Sequence, residues 1–537
     1  MKASSATEKL GIDQRLDLLD EANHKNTRVL KHSAVMSALN LLGIVSALIL
    51  DMIIAAKYGL QANADAFFTA MTIPLLVSQM LTTSANLALV PVFTNALLER
   101  GPVATWKLAS IIANLGTVVL SITAFVGMLL SPFIIVVIAP GLDLQTRVLA
   151  VRLSRVLFLT LVPISFIEVI KAVINARDRF ATPASVTPVG NMLAVACILA
   201  LDRSLGIRAA AWAFALKPLA EFLILLGDLL LRERFTYHFS LDLGYSGVRR
   251  GVYLVTARMG GLMLRSTNTI LERFFASFLP AGTISALNYA RRLSLAMSGV
   301  VTTSVSTALL PRISVFTCQE AWPELRRAIA FGVKLISFVV LPLAAGVMAL
   351  NLPLVQLLMQ RGAFDAWATQ FTASLISLFM LGIPFQALMR LLLAPFYASQ
   401  HVRTLTLLQV AMLTLNIALD IVLILLMEAA GIPLAFALTS VVNVIIAVWL
   451  LRRHIGSFNG DLVRFLGKVG VATLVMSITI FLVWQSVAPW ISSTMELLLA
   501  VPALVGVGIA LYLGSVMLLR VQEFSQMVAI VRGRLMT

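Results

Sequence analysis

The sequence predicts an all-α integral membrane protein of about fourteen transmembrane helices, built as two parallel six-helix lobes plus a terminal helix pair. Three observations predict it. Hydrophobic residues make up 59% of the 537 residues and charged ones 12%, whereas a water-soluble domain carries roughly 25% charged residues; the mean hydropathy is +0.95. Apolar runs of roughly 20 residues, long enough to cross the hydrocarbon as helices, recur along the chain and are too continuous for barrel strands, which alternate over about 10 residues. The chain also repeats itself: Thr82-Thr83-Ser84, Ala88-Leu89 and Pro91 recur as Thr302-Thr303-Ser304, Ala308-Leu309 and Pro311, at an offset of 302 − 82 = 220.

Taken in order, residues 1–32 are polar and mixed in charge and are expected to form a cytoplasmic tail. The first apolar run begins near residue 33 and is too long for the core of a cleavable signal, so it is expected to remain as a span. Spans are expected near 33–57, 66–93, 108–131, 150–172, 183–202 and 207–231, which together make an N-lobe over 33–231. Those near 251–278, 283–310, 328–350, 367–398, 404–427 and 431–451 make a C-lobe over 251–451. Two more, near 466–489 and 496–519, form an appended pair within 466–519, and residues 520–537 follow as a second cytoplasmic tail. Ala66/Ala286, Ala70/Ala290, Leu75/Leu295 and Ser78/Ser298 keep the offset of 220, and Ala176/Ala398 and Thr182/Thr404 echo it at 222. The repeat marker lies in span 2 and its copy in span 8. The two are six spans apart, an even offset, so the lobes are expected to run parallel, as in carriers that rock one repeat against the other.

Cations set the orientation. The N-terminal tail and the loops on its side hold Arg100, Lys107, Arg177, Arg179, Arg232, Arg249, Arg250, Arg326, Arg327, Arg452 and Arg453, which places both termini in the cytoplasm by the positive-inside rule. Lys57, Arg147, Arg203, Arg208 and Arg361 are exceptions on the opposite side. The net charge of +16 is thus topology; basic loops scattered between apolar spans make no groove-reading surface, and nucleic acid is excluded as a partner. Cys197 and Cys318 support neither a disulfide framework nor a metal site. HExxH, GxxxxGK[ST] and dinucleotide fingerprints are missing, as is any long acidic loop, so neither an enzyme nor a cofactor is expected.

Ionisable groups inside spans carry the functional signal, because a charge in the bilayer costs roughly 2.5–3.5 kcal/mol unless it meets water or a partner. Arg258, Arg265 and Glu272 lie seven residues apart in span 7, and seven steps of 100° fall about 20° short of two turns, so they share one face. Two guanidinium groups about 10 Å apart offer planar forks suited to a pyrophosphate. Span 8 adds Arg291 and Arg292, and both spans are expected to border the cleft between lobes. Glu168 with Lys171 and Lys217 with Glu221 are spaced for mutual neutralisation within a helix, Asp420 and Glu428 suit interfacial or paired positions, and Asp51 stands apart from any local base.

The ordered set Asp65-Ala66-Phe67-Phe68, Ile73-Pro74, Val90-Pro91, Ala139-Pro140-Gly141, Tyr289-Ala290 with Arg292-Leu293, Leu310-Pro311, Gln360-Arg361-Gly362-Ala363-Phe364-Asp365 and Ala394-Pro395-Phe396-Tyr397-Ala398 resembles the MviN/MurJ branch of the multidrug/oligosaccharidyl-lipid/polysaccharide exporter superfamily. The resemblance runs from about residue 35 to 520. It implies a bacterial inner-membrane flippase that carries an undecaprenyl-pyrophosphate-linked glycan outward by alternating access, amid membrane lipids and alongside envelope glycan polymerase machinery. Asp65 and Arg292 match charged positions of the branch. Leu50, Ser78-Gln79, Arg291 and Leu295 stand where it carries an arginine, an arginine pair, an acid and an acid.

The expected ligand set is Arg258, Arg265, Arg291, Arg292, Asp51 and Asp65. The rearranged charges suit a flippase for lipid II or for an exopolysaccharide, capsule or O-antigen repeat unit. An ion-coupled multidrug antiporter of the same superfamily, with Asp51 as the coupling acid, and a non-transporting envelope scaffold are the alternatives.

Overall fold

The computed structural model describes residues 35–36, 38–232, 236–399, 402–458, 460–491 and 493–521, and the side chains among these except those of 261–266, 300–308 and 402. The expected tail at 1–32 and nearly all of 520–537 lie outside the described residues.

Every regular element among the described residues is helical. The first helix, α1, is Ala38–Tyr58. There follow α2 (Ala62–Ile138), α3 (Leu144–Phe158), α4 (Leu161–Asn175), α5 (Ala181–Leu205), α6 (Ile207–Arg232), α7 (Val248–Ala276), α8 (Thr283–Cys318), α9 (Trp322–Ala349) and the short α10 (Asn351–Met359). The rest are α11 (Ala366–Leu392), α12 (Ala394–Ala398), α13 (Val402–Met427), α14 (Gly431–Ile455), α15 (Gly460–Val487) and α16 (Thr494–Leu518). Nine helical segments among the described residues are long and apolar enough to cross a membrane. Among the described residues the expected spans fall on helical segments: α2 holds two of them, and spans 4 and 10 each run over two helices.

The divisions have local causes. Within α2 the helix breaks at Gly101, whose φ of 78° and ψ of 179° are conformations that a side chain would strain. Span 4 is split into α3 and α4, where the amides of Leu159 and Thr160 reach back only three residues, to Val156 and Leu157. Pro163 has no N–H to donate to Leu159, so the α-helical ladder cannot continue there. Helix α8 extends to Cys318, past the expected end of its span near 310, so this thiol ends the helix.

The chain divides into two compact units that interleave along the sequence. One comprises the described residues up to Asp51 with Ile73–Ser131 and Arg152–Met263; the other comprises Met52–Thr72, Pro132–Val151 and the described residues from Leu264. The boundary cuts α7, which contributes to both. In the first unit α5 lies along α6, whose buried Ala209, Ala210, Ala211 and Ala213 let the backbones approach. Small residues do this work in lipid, where apolar side chains gain little by leaving hydrocarbon. Leu89, Phe93, Trp106, Ile170, Val173 and Leu225 form this unit's core.

In the second unit α11 packs against α8, α9 and α14. The terminal pair has its own core around Phe465, Val469, Met476, Leu504 and Val516. It is also fastened to the unit, since α9 packs on α15 and the Tyr512 hydroxyl donates to the Phe338 carbonyl at 2.7 Å.

Candidate functional site

Asp65, in the first turn of α2, reaches the start of α8 within the second unit. Its Oδ2 accepts from the Gly282 amide at 2.6 Å, and its Oδ1 accepts from the Ser285 amide and the Ser285 hydroxyl, both at 2.7 Å. Gly282 is the N-cap residue of α8 and Ser285 its third residue, so the carboxylate satisfies donors that a helix start leaves open and sits at the positive end of its dipole. Gly282 itself has φ of +94°, and a Cβ there would collide with the Leu60 carbonyl. Arg273 is buried close by, donating to the Ile284 carbonyl at 3.0 Å and acting electrostatically on Asp65. The carboxylate is 3% exposed, and its oxygens are occupied by the fold.

Other residues that carry the family resemblance gather at the same helix ends. The Gly141 amide donates to Ser277 Oγ at 3.0 Å, and the Ala363 amide donates to the Ala56 carbonyl at 2.7 Å. Phe68, Tyr289 and Phe364 make successive edge-to-face contacts with centroids 5.2 and 5.9 Å apart. Asp365 caps α11 through the Ala368 amide at 2.8 Å. Asp143, in the loop after α2, accepts from the Thr146 amide at 3.0 Å, and hydrogen bonds from Thr146 hold its carboxyl below the ordinary carboxylate value. A hollow of about 200 Å³ lies here, with Asp65, Asp143, Thr146 and Ser277 among its walls.

Arg291 occupies a cage. It is ion-paired with Glu272 of α7 and lies over the rings of Phe379 and Phe436 at 5.9 and 5.6 Å. Asp420 of α13, itself buried, acts on the same guanidinium. Arg292 follows one residue, or 100°, further round the helix, and its charge acts on Arg273. The expected stripe Arg258, Arg265, Glu272 does lie on one continuous helix. Glu272 is committed to Arg291, and the side chain of Arg265 lies outside the described residues. Arg258 is exposed and has no hydrogen-bond or ion-pair partner among the described residues.

In the first unit the two local acid–base pairs form as spaced: Lys171 to Glu168 at 3.4 Å and Lys217 to Glu221 at 3.8 Å. They join a wider network in which Thr82 donates to Glu168 at 3.1 Å, Lys217 to Asn191 at 2.6 Å, and Asn191 to Ser46 at 2.9 Å. Gly190 leaves the room that Glu221 fills. Asp51 is buried in α1 and is engaged with the surrounding structure.

Sequence reasoning passed over Arg273 and Asn191. The former is signalled only by a second charge beside Glu272 in an apolar helix, and the latter only by an amide in a span next to Gly190.

The family model described as "Lipid II flippase MurJ" matches residues 54–501. Among curated relatives, the lipid II flippase MurJ of Burkholderia cenocepacia is 25% identical over 452 residues, covering 82% of this chain and 87% of that protein. The probable lipid II flippase MurJ of Vibrio cholerae is 25% identical over 517 residues, covering 92% and 97%. Among solved structures, a lipid II flippase MurJ in an inward closed conformation aligns with a TM-score of 0.75 at 20% identity, over 91% of this chain and 99% of that one. An inward-facing multidrug resistance MATE family transporter of the MOP superfamily aligns at 0.64 and 14% identity, over 78% and 94%. These structural likenesses show the fold.

Proposed function

Since the chain belongs to the MurJ lipid II flippase family, a family of transporters and not of enzymes, we propose that it carries an undecaprenyl-pyrophosphate-linked saccharide across the bacterial inner membrane by alternating access. A glycan and a diphosphate cannot enter hydrocarbon unaided, so the protein must offer donors to the headgroup while the polyprenyl tail stays in lipid. Arg258 carries the reading: an exposed guanidinium with no partner among the described residues, in a helix expected to span the membrane, is costly unless it meets water or an anion. We assign Arg258 and Arg265 to the diphosphate, with Arg292 as a further donor on α8. Asp65 and Arg291 support the site by fixing the start of α8 and its bond to α7, and Asp51 stays among the proposed substrate ligands, a coupling role for it belonging to the antiporter reading alone.

The same rearrangement favours an exopolysaccharide, capsule or O-antigen repeat unit over lipid II, because Arg291 places a cation, satisfied by Glu272, where the family resemblance places an acid. Both termini are assigned to the cytoplasm on cation placement, and envelope glycan polymerases are the assigned partners. A multidrug antiporter is disfavoured, since a cationic α7 repels cationic compounds.

The test is a proteoliposome flipping assay with lipid II and with a lipid-linked exopolysaccharide unit in parallel. R258Q and R265Q should each abolish transport while membrane insertion is unchanged. Undiminished transport in both variants overturns the assignment, and transport of lipid II alone overturns the choice of glycan.

A further inference from the structure

A hollow of about 250 Å³ lies in the first unit between α3 and α6, lined by Arg152, Leu153, Val156, Arg208, Ala211 and Trp212. Its chemistry is divided. Leu153 and Ala211 are buried and make an apolar floor, whereas Arg152 and Arg208 are exposed at the rim. Neither guanidinium has a hydrogen-bond or ion-pair partner among the described residues. Other arginines of the same unit are held: Arg179 and Arg232 both pair with Asp228, at 3.0 and 3.3 Å. Arg208 stands in the first turn of α6, where the helix dipole is positive and a cation is disfavoured. Trp212 lies one turn further on, on the same face as Arg208, and is 39% exposed.

The placement is also unfavourable by topology, since Arg208 is one of the few cations on the side expected to face away from the cytoplasm. Two unpaired guanidinium groups, a dipole of the same sign and an unused hollow all gain from one anion. An apolar floor and a tryptophan, a residue that settles at the headgroup level of bilayers, select an anion attached to a lipid over a free ion.

We propose that this hollow binds the phosphate of an anionic membrane phospholipid, with Arg152 and Arg208 as its donors and Trp212 lying against the glycerol and upper acyl region. The site is separate from the assigned diphosphate ligands on α7 and does not depend on which glycan is carried.

Native mass spectrometry of the full-length protein tests it, with phosphatidylglycerol and phosphatidylcholine titrated separately. Phosphatidylglycerol should bind in preference, and R152Q/R208Q should weaken it by about tenfold or more, the equivalent of one lost charge-assisted hydrogen bond. R152Q and R208Q alone should fall between, R249Q/R250Q should bind as the wild type does, and excess inorganic phosphate should not compete. Equal retention of the two lipids, full retention of phosphatidylglycerol by R152Q/R208Q at unchanged melting temperature, or displacement by inorganic phosphate would each overturn the proposal.

Discussion

Asp65 and Ser285 occupy the same position of the two repeats, 285 − 65 = 220 residues apart, and they are hydrogen-bonded to each other at 2.7 Å. The starts of α2 and α8 therefore meet within the second unit. That contact also accounts for the divergence of the two copies at this position: two carboxylates in one buried place repel, whereas a carboxylate and a hydroxyl bond.

Substituting Asp65 should therefore act through α8. D65N removes the charge and one of the accepting oxygens, and the loss expected for such a cap is about 1–2 kcal/mol, read as a lower apparent melting temperature in detergent. S285D, which would place two carboxylates in one buried site, should be worse. Unaltered melting in both variants would separate Asp65 from the stability of α8.

The Glu272–Arg291 pair predicts strong coupling. R291Q alone leaves the buried Glu272 carboxylate without its partner and should cost about 3–5 kcal/mol, whereas in E272Q the half-buried Arg291 keeps Asp420 and its two aromatic rings and the loss should be smaller. The double variant E272Q/R291Q should lose less than the sum of the two, because neither member of the pair is then left without the other. Additive losses in that cycle would show that the pair contributes nothing beyond its separate residues.

Glycine positions divide by what surrounds them. G282A forces a side chain into a left-handed conformation and against the Leu60 carbonyl, which should lower stability by about 1–3 kcal/mol. At Gly227 of α6 nothing lies within 4 Å of an added Cβ, so G227A should stabilise the helix by up to about 1 kcal/mol. Equal effects on thermal unfolding would contradict the loop at 277–282.

Asp143 supplies a pH dependence with a defined sign. Its carboxyl is held below the ordinary value of 3.8 by Thr146, so its contribution is present above that value and lost as the pH falls through the depressed folded value. The stability difference between wild type and D143N should therefore be largest at neutral pH and shrink below about pH 4. A difference that grows on acidification would reverse the assignment.

Hydropathy, repeat spacing and the ordered motifs determined the membrane class, the place of each span, the duplication and the family, because each is a local or periodic property of the chain. The i,i+3 and i,i+4 pairs Glu168–Lys171 and Lys217–Glu221 were legible for the same reason. What Asp65 and Arg291 touch was not legible in this way. The sequence places both in the expected ligand set without naming a protein partner for either, whereas folding gives one to the start of α8 and the other to Glu272 and two aromatic rings. Those partners lie on other helices, and which helix faces a given charge depends on packing angles and on breaks such as the one at Gly101. Only the tertiary structure sets these, since in lipid every apolar face is an acceptable neighbour until backbones close on one another.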